Sequence, residues 1–387
     1  MKKLLLLGAV LTSVLAPITQ AATTFKIATA YPNGTFPLIQ LHNAAADIKE
    51  QTQGRVKIKI YPGGVKGGND SVLGQIRKGL LSGALIEGAA LAPSFTDLQV
   101  YYAPMFFKNY DEVDAVREIM DPVIEAGLAE NGWNVFGLIE GGFAYPMTNS
   151  PAASVADLQK QKLWLPSGDA LVEKVASVMG ISPVFMGISE VLTGLSTNSI
   201  NAIVAPPVAA ITLQWYSKVK YLTDVPFMYT YATLAISDKA FGKLSDEDKI
   251  IVRKILTKAV DLIDKDSRVG NVSAYEVLMN QGVEVVTPTA EQIIALADDA
   301  KRSTDQLIKA GEFSQEIFDQ MKSIVDGQRA KVKADKEAKV KAKAAKALMN
   351  QGGEVVVPKA EKITALVAGV KPLADQKKSN AEEQRAE

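Results

Sequence analysis

His42 is the only histidine in 387 residues, and cysteine is absent altogether. Imidazole catalysis and His-rich metal sites need two imidazoles, or one beside a Ser or Cys nucleophile, while thiolate zinc sites and disulfides need cysteines. The usual hydrolase and zinc chemistries are therefore excluded. Asp111, Glu112 and Asp114 crowd one helix start, where acids complement the helix dipole, so they read as a cap and not as a metal site. No Walker loop and no GxGxxG fingerprint occurs. What remains is the chemistry of binding: tyrosine hydroxyls, aromatic faces and lysines. The chain reads as a non-enzyme that needs no cofactor and no metal, and His42 reads as a structural histidine beside the apolar face of the first helix.

The charge is patterned. Basic and acidic residues number 43 each, yet residues 1–21 carry +2, residues 22–328 carry −8 and residues 329–387 carry +6. A mildly acidic body with a basic tail is expected, and no nucleic-acid partner. Met1-Lys2-Lys3 is followed by apolar Leu4–Leu15, Pro17 and the small-residue exit Thr19-Gln20-Ala21, the order of a secretory signal peptide. Its apolar core is too short to span a bilayer. Cleavage near Ala21 and a soluble periplasmic chain starting near Ala22 are expected.

Period-2 and period-3.6 patterns alternate along the rest. Phe25–Ala30 reads as a strand, Phe36–Gln53 as a helix stopped by Gly54, and Val56–Tyr61 as a half-buried strand. A helix to Gly79, a strand near Ala84–Ala89 and an acidic helix from Asp111 follow. Strand Asn134–Glu140 leads into Gly141-Gly142 and Phe143–Thr148, which look like a crossing point. A second α/β series fills residues 154–222, Pro226–Ser237 crosses back, and Ser245 starts a helix whose period carries to Met279. The alternation predicts an α/β fold with mostly parallel pairing and a long helix bracing two lobes.

Residues 278–296 recur at 348–366 with fourteen of nineteen positions identical, a partial duplication. Between the copies, 331–347 is rich in Lys and Ala without an apolar stripe, which predicts a solvated helix.

At Ile60-Tyr61-Pro62-Gly63-Gly64, Asp157-Leu158, Lys162-Leu163-Trp164-Leu165-Pro166 and Glu190 through Pro206, the chain resembles the solute-binding proteins of TRAP transporters, the tripartite ATP-independent periplasmic class. The resemblance covers residues 24–326. It implies a two-lobed Venus-flytrap fold with hinge strands and a bracing helix, plus here a helical C-terminal extension. Residues 22–145 with 228–270 would form lobe I, 146–227 with 271–328 lobe II, and 329–387 the basic extension. It also implies capture of a small solute by lobe closure and delivery to TRAP membrane subunits.

Two departures bear on the ligand. Where the family places a ligand-clamping arginine this chain has Trp164, and an asparagine that often contacts ligand is replaced by Ala205. No arginine occurs between Arg117 and Arg253, and arginine's planar fork is what suits a carboxylate. The expected ligand is therefore apolar or amphipathic, held by Phe143, Tyr145, Trp164, Val204, Ala205, Tyr229 and Tyr231. Family members without the arginine imply a tetratricopeptide-repeat periplasmic partner. Two other readings stand beside this one: an organic acid bound through Lys162, tyrosine hydroxyls and backbone donors, and a scaffold or sensor that does not transport.

Overall fold

The computed structural model describes residues 22–350, apart from Gly168 and the side chains of residues 344, 345 and 347–350. The expected signal peptide and the second repeat copy from residue 351 onward lie outside the described residues.

In lobe I, β1 (Thr23–Thr29) runs parallel to both β2 (Val56–Tyr61) and β3 (Gly83–Glu87), with α1 (Phe36–Gln51) and α2 (Asn69–Arg77) as crossovers. Leu38, Leu41, Ala44 and Ile48 of α1 are buried, a spacing that keeps one helical face inward. Gly54, at φ 80°, ends that segment in the left-handed region, which costs glycine little. Then come α3 (Tyr110–Glu130), N-capped by the Asn109 side chain, and β4 (Trp133–Thr148).

Lobe II contains α4 (Val155–Leu158), β5 (Trp164–Pro166), α5 (Ala170–Val178), β6 (Val184–Met186), α6 (Val191–Ser196), β7 (Ala202–Ala205), α7 (Pro207–Thr212) and β8 (Tyr221–Thr223). Ser154 and Asp169 cap α4 and α5 by accepting the amides of Asp157 and Val172, which satisfies donors that a helix start leaves open. The chain returns through β9 (Met228–Ser237) and α8 (Asp238–Phe241) into α9 (Asp246–Asn280), then β10 (Glu284–Val286), α10 (Ala290–Lys309) and α11 (Gln315–Asn350).

The crossing is one continuous strand. β4 pairs antiparallel with β9 from Trp133 to Ala144 and with β7 and β8 from Tyr145 to Thr148, so one strand belongs to the sheets of both lobes. Its register shifts before Leu138 and before Gly142, where Gly137 and Gly142 have φ 118° and 90°. Such bulges bend a strand and raise its twist. Pairing is therefore mixed and not mostly parallel: β9 comes straight back over the crossing and so runs against both β3 and β4.

Helix α9 is unbroken for 35 residues, about 52 Å at 1.5 Å per residue. It packs on α1 and β4 in lobe I and on α7 in lobe II. Ser245 caps it, and Asp246, Glu247 and Asp248 occupy its first turn, where the dipole favours acids. α10 lies on α5, whereas α11 turns back onto α3, burying Ile317, Met321 and Val325. Arg329 then donates to Glu112 at 2.9 Å and to the Phe106 carbonyl at 2.8 Å. From residue 330 to 343 every residue of α11 is exposed.

Candidate binding cleft

Ligands of α/β sheets bind beyond the carboxyl ends of parallel strands. In lobe I those ends present Tyr31 after β1, Tyr61 on β2 and Glu87 on β3. In lobe II, Asp169 follows β5 at the start of α5. Glu87 is reachable by solvent but walled in: burial first, then the Asp169 charge, push its carboxyl up to about 7, while a hydrogen bond with Asn69 opposes the shift. Burial, aided by Glu87, pushes the Tyr31 phenol up to about 12. Asp169 is raised by burial, with Glu312 adding to the shift. The charge of a lobe II acid thus adds to the upward shift of a lobe I acid. At the same rim the Lys66 ammonium stands 4.2 Å from the centre of the Tyr61 ring.

The seven residues expected from the sequence fall into two groups. Phe143 and Tyr229 pack with ring centres 5.7 Å apart, and Tyr101 lies edge-on to Tyr229 and Tyr231. Tyr231 is 2 % exposed, and its hydroxyl donates to the Leu98 carbonyl at 2.8 Å. A Cβ on Gly88 would lie 2.3 Å from its ring, so the Tyr231 ring packs directly against the residue that follows Glu87. Tyr145, Val204 and Ala205 adjoin across the β4–β7 ladder. Tyr145 stacks edge-on with Tyr275 at 5.6 Å, and burial, then Asp224, push its phenol up to about 12.

Trp164 belongs with the second group, inside lobe II. Its ring meets Trp215 at 5.3 Å, its indole N–H donates to the Met186 carbonyl at 3.0 Å, and it is 6 % exposed. Lys162 donates to the Asn198 carbonyl at 2.9 Å on the surface. Tyr31, Lys66, Asn69, Glu87 and Asp169 were not among the expected residues. The signal that finds them is topological: each follows or ends a parallel strand, or starts the helix after one. A recess of about 450 Å³ lined by Asn134, Phe241 and Arg253 lies within lobe I, away from the gap between the lobes.

Behind the cleft, α9 grips the crossing strand. Arg268 makes a two-pronged contact with Glu140 at 2.6–2.8 Å, reaches Asp114 at 2.7 Å, and lies over the Tyr110 ring at 4.0 Å. Burial raises the Glu140 carboxyl despite Arg268. Arg117 similarly joins Asp121 and Asp264. Asn271 donates to the Gly141 carbonyl at 2.9 Å and to that of Ser267 at 3.0 Å.

Among the described residues no three or more His, Asp or Glu could hold a metal ion. None of the helices searched there is long and apolar enough to cross a membrane.

Two sheets sharing one strand, a return strand and a bracing helix are the architecture of a two-lobed solute-binding protein. Residues 27–310 match the model of the bacterial extracellular solute-binding proteins, family 7, and the chain belongs to that family. Its members are binding receptors of TRAP transporters and not enzymes. The chain is 25% identical over 285 residues to the sialic acid-binding periplasmic protein SiaP of Vibrio cholerae, covering 73% of this chain and 88% of that one. It is 25% identical over 248 residues to the 2,3-diketo-L-gulonate-binding periplasmic protein YiaO of Escherichia coli, covering 62% and 74%. The fold matches a TRAP periplasmic solute binding protein of Xanthobacter autotrophicus, solved with β-D-galacturonate, at TM-score 0.70 and 19% identity, over 78% of this chain and 99% of that one.

Proposed function

We propose that the chain is exported, loses residues 1–21, and captures an apolar or amphipathic small solute between its lobes for delivery to TRAP membrane subunits. The lobes divide as 22–145 with 228–270, and 146–227 with 271 to about 310, the next residues returning to lobe I through α11 on α3. The observation that carries the ligand class is electrostatic. The Asp169 charge adds to the burial that raises the Glu87 carboxyl, and lobe II supplies no arginine between Arg117 and Arg253. A carboxylate placed there would meet like charge without a fork to pair it, and a buried unpaired ion costs several kcal/mol. Phe143, Tyr145, Val204 and Ala205 border the apolar side, with Trp164 setting the shape of β5 and Tyr229 and Tyr231 as buried support. A tetratricopeptide-repeat periplasmic protein fits as a further carrier of such a solute.

Lys66 favours a second reading. An ammonium at the end of β2 could hold an organic acid, and the relatives named above carry acidic ligands in their names. Native mass spectrometry of protein purified from periplasm, followed by calorimetric titration with D-galacturonate, separates the two. An uncharged apolar adduct and no heat from galacturonate support the first reading. Saturable heat that disappears in Lys66→Ala replaces it with the second.

A further inference from the structure

The basic excess of the C-terminal region is confined to one stretch. Residues 347–387 hold six basic and six acidic residues, so the whole +6 lies within 329–346. Arg329 is clamped to Glu112. Beyond it, residues 331–346 hold seven lysines, two acids and no arginine, on a helix that has left the body and is exposed from residue 330 through 343. At 1.5 Å per residue these sixteen residues make a rod about 24 Å long.

We propose that this arm binds an anionic phospholipid surface. At about 100° per residue, Lys336, Lys339, Lys343 and Lys346 share one sector of the helix, while Lys331, Lys333 and Lys341 are spread around the rest. Charge distributed this way matches a fluid array of phosphates better than one shaped protein site. The side-chain type points the same way. A protein carboxylate is recognised best by the planar arginine fork, whereas lysine is a compact point charge without that geometry. Val332 and Val340, 37% and 46% exposed, are the large apolar residues of 331–343, too few for an inserted apolar face. The arm therefore lies on a surface and does not enter it. The body, at −8 over residues 22–328, is repelled by the same surface, so attachment through the arm leads with one end of the molecule. A receptor that must meet membrane subunits gains residence at the membrane without a lipid anchor.

The test is vesicle co-sedimentation of the chain starting at Ala22, which removes apolar Leu4–Leu15 from the measurement. Vesicles of phosphatidylcholine with about 30 mol% phosphatidylglycerol are compared with pure phosphatidylcholine, at about 50 mM and 500 mM salt, because screening weakens such attraction. The comparison variant carries Lys336→Gln, Lys339→Gln, Lys343→Gln and Lys346→Gln. Binding to the anionic vesicles alone, weakened by salt and at least tenfold weaker in the variant, is expected from the attraction of each lysine to an anionic surface. The proposal is overturned by no binding at low salt, by equal binding to pure phosphatidylcholine, or by a variant that binds like the parent. It is equally overturned if the chain binds only membranes containing TRAP subunits and no lipid vesicle, which would assign the arm to an acidic protein. The substituted side chains are exposed, and unchanged melting and helical dichroism check that the variant is folded.

Discussion

Asn271 of α9 lies directly against Gly142 of β4: a Cβ on Gly142 would stand 2.4 Å from the Asn271 Nδ2. The contact sits where β4 leaves one sheet for the other, and the backbone there is already in the left-handed region at φ 90°. Glycine is required twice over, by conformation and by space.

Gly142→Ala is therefore expected to destabilise by about 2–4 kcal/mol, combining backbone strain with a clash against a buried side chain. Gly282→Ala is its control: Gly282 has φ 88° with nothing within 4 Å, so strain alone should cost about 1 kcal/mol. Denaturant midpoints of the two variants measure the difference. Adding Asn271→Ala to Gly142→Ala should recover part of it, and no recovery would remove the clash from the account.

Arg268→Met should cost about 3–5 kcal/mol, because it leaves the Glu140 carboxylate, 2 % exposed, without its partner. Burial already raises that carboxyl, and without Arg268 it rises further. The folded variant then holds a proton more tightly than the unfolded chain, so its penalty grows with pH. Chemical denaturation at pH 5 and pH 8 should show the larger loss at pH 8.

Glu87 has the same sign. Its folded value near 7 lies above the ordinary 4.5, so its contribution to stability is fully present below about 4.5 and lost as pH rises through 7. Glu87→Gln, which cannot ionise, should melt with the parent at pH 4.5 and above it at pH 8. Tyr31, Asn69, Tyr102 and Asp169 are the polar groups coupled to it. Identical melting of the two proteins at pH 8 would remove the raised Glu87 carboxyl from the account.

Trp164→Ala should cost about 3–5 kcal/mol of stability, the range for emptying a buried aromatic site. Trp164→Phe keeps most of the packing on Trp215 and loses the hydrogen bond to Met186, about 1 kcal/mol. If Trp164 only shapes β5, the Phe variant keeps its affinity for the copurifying solute; a tenfold loss in this folded variant would place the indole against the ligand.

A chain ending at residue 331 should melt like one ending at 346, whereas ending at 328 removes Arg329 and leaves buried Glu112 without its ion pair, at a cost of about 2–4 kcal/mol. Thermal melts of the three lengths test where the body ends.

Element order was legible because its signals are local. Ser245 caps a helix where the sequence starts one, and the apolar period through α9 survives as one helix. The cleft was less legible because its contacts are not local. Trp215 is fifty-one residues beyond Trp164, so no spacing could reveal that the indole is packed on another indole. Tyr231 looked available in an extended segment, yet its ring fills the space that Gly88 leaves empty. Glu87 and Asp169 lie on opposite lobes, and only the arrangement of two sheets lets the Asp169 charge add to the upward shift of Glu87. The basic tail likewise hid a boundary: α11 passes residue 329 without a break, and Arg329 still belongs to the body.

The exposed stretch of α11 also changes how the molecule tumbles and scatters. A thin rod about 24 Å long adds little mass but extends the longest interatomic distance, so it lengthens the distance distribution in solution scattering whether the lobes are open or shut. Uncorrected, that extension mimics an opened receptor. Lobe motion is best read from a chain ending at residue 331, where the clamp at Arg329 is kept and the rod is gone.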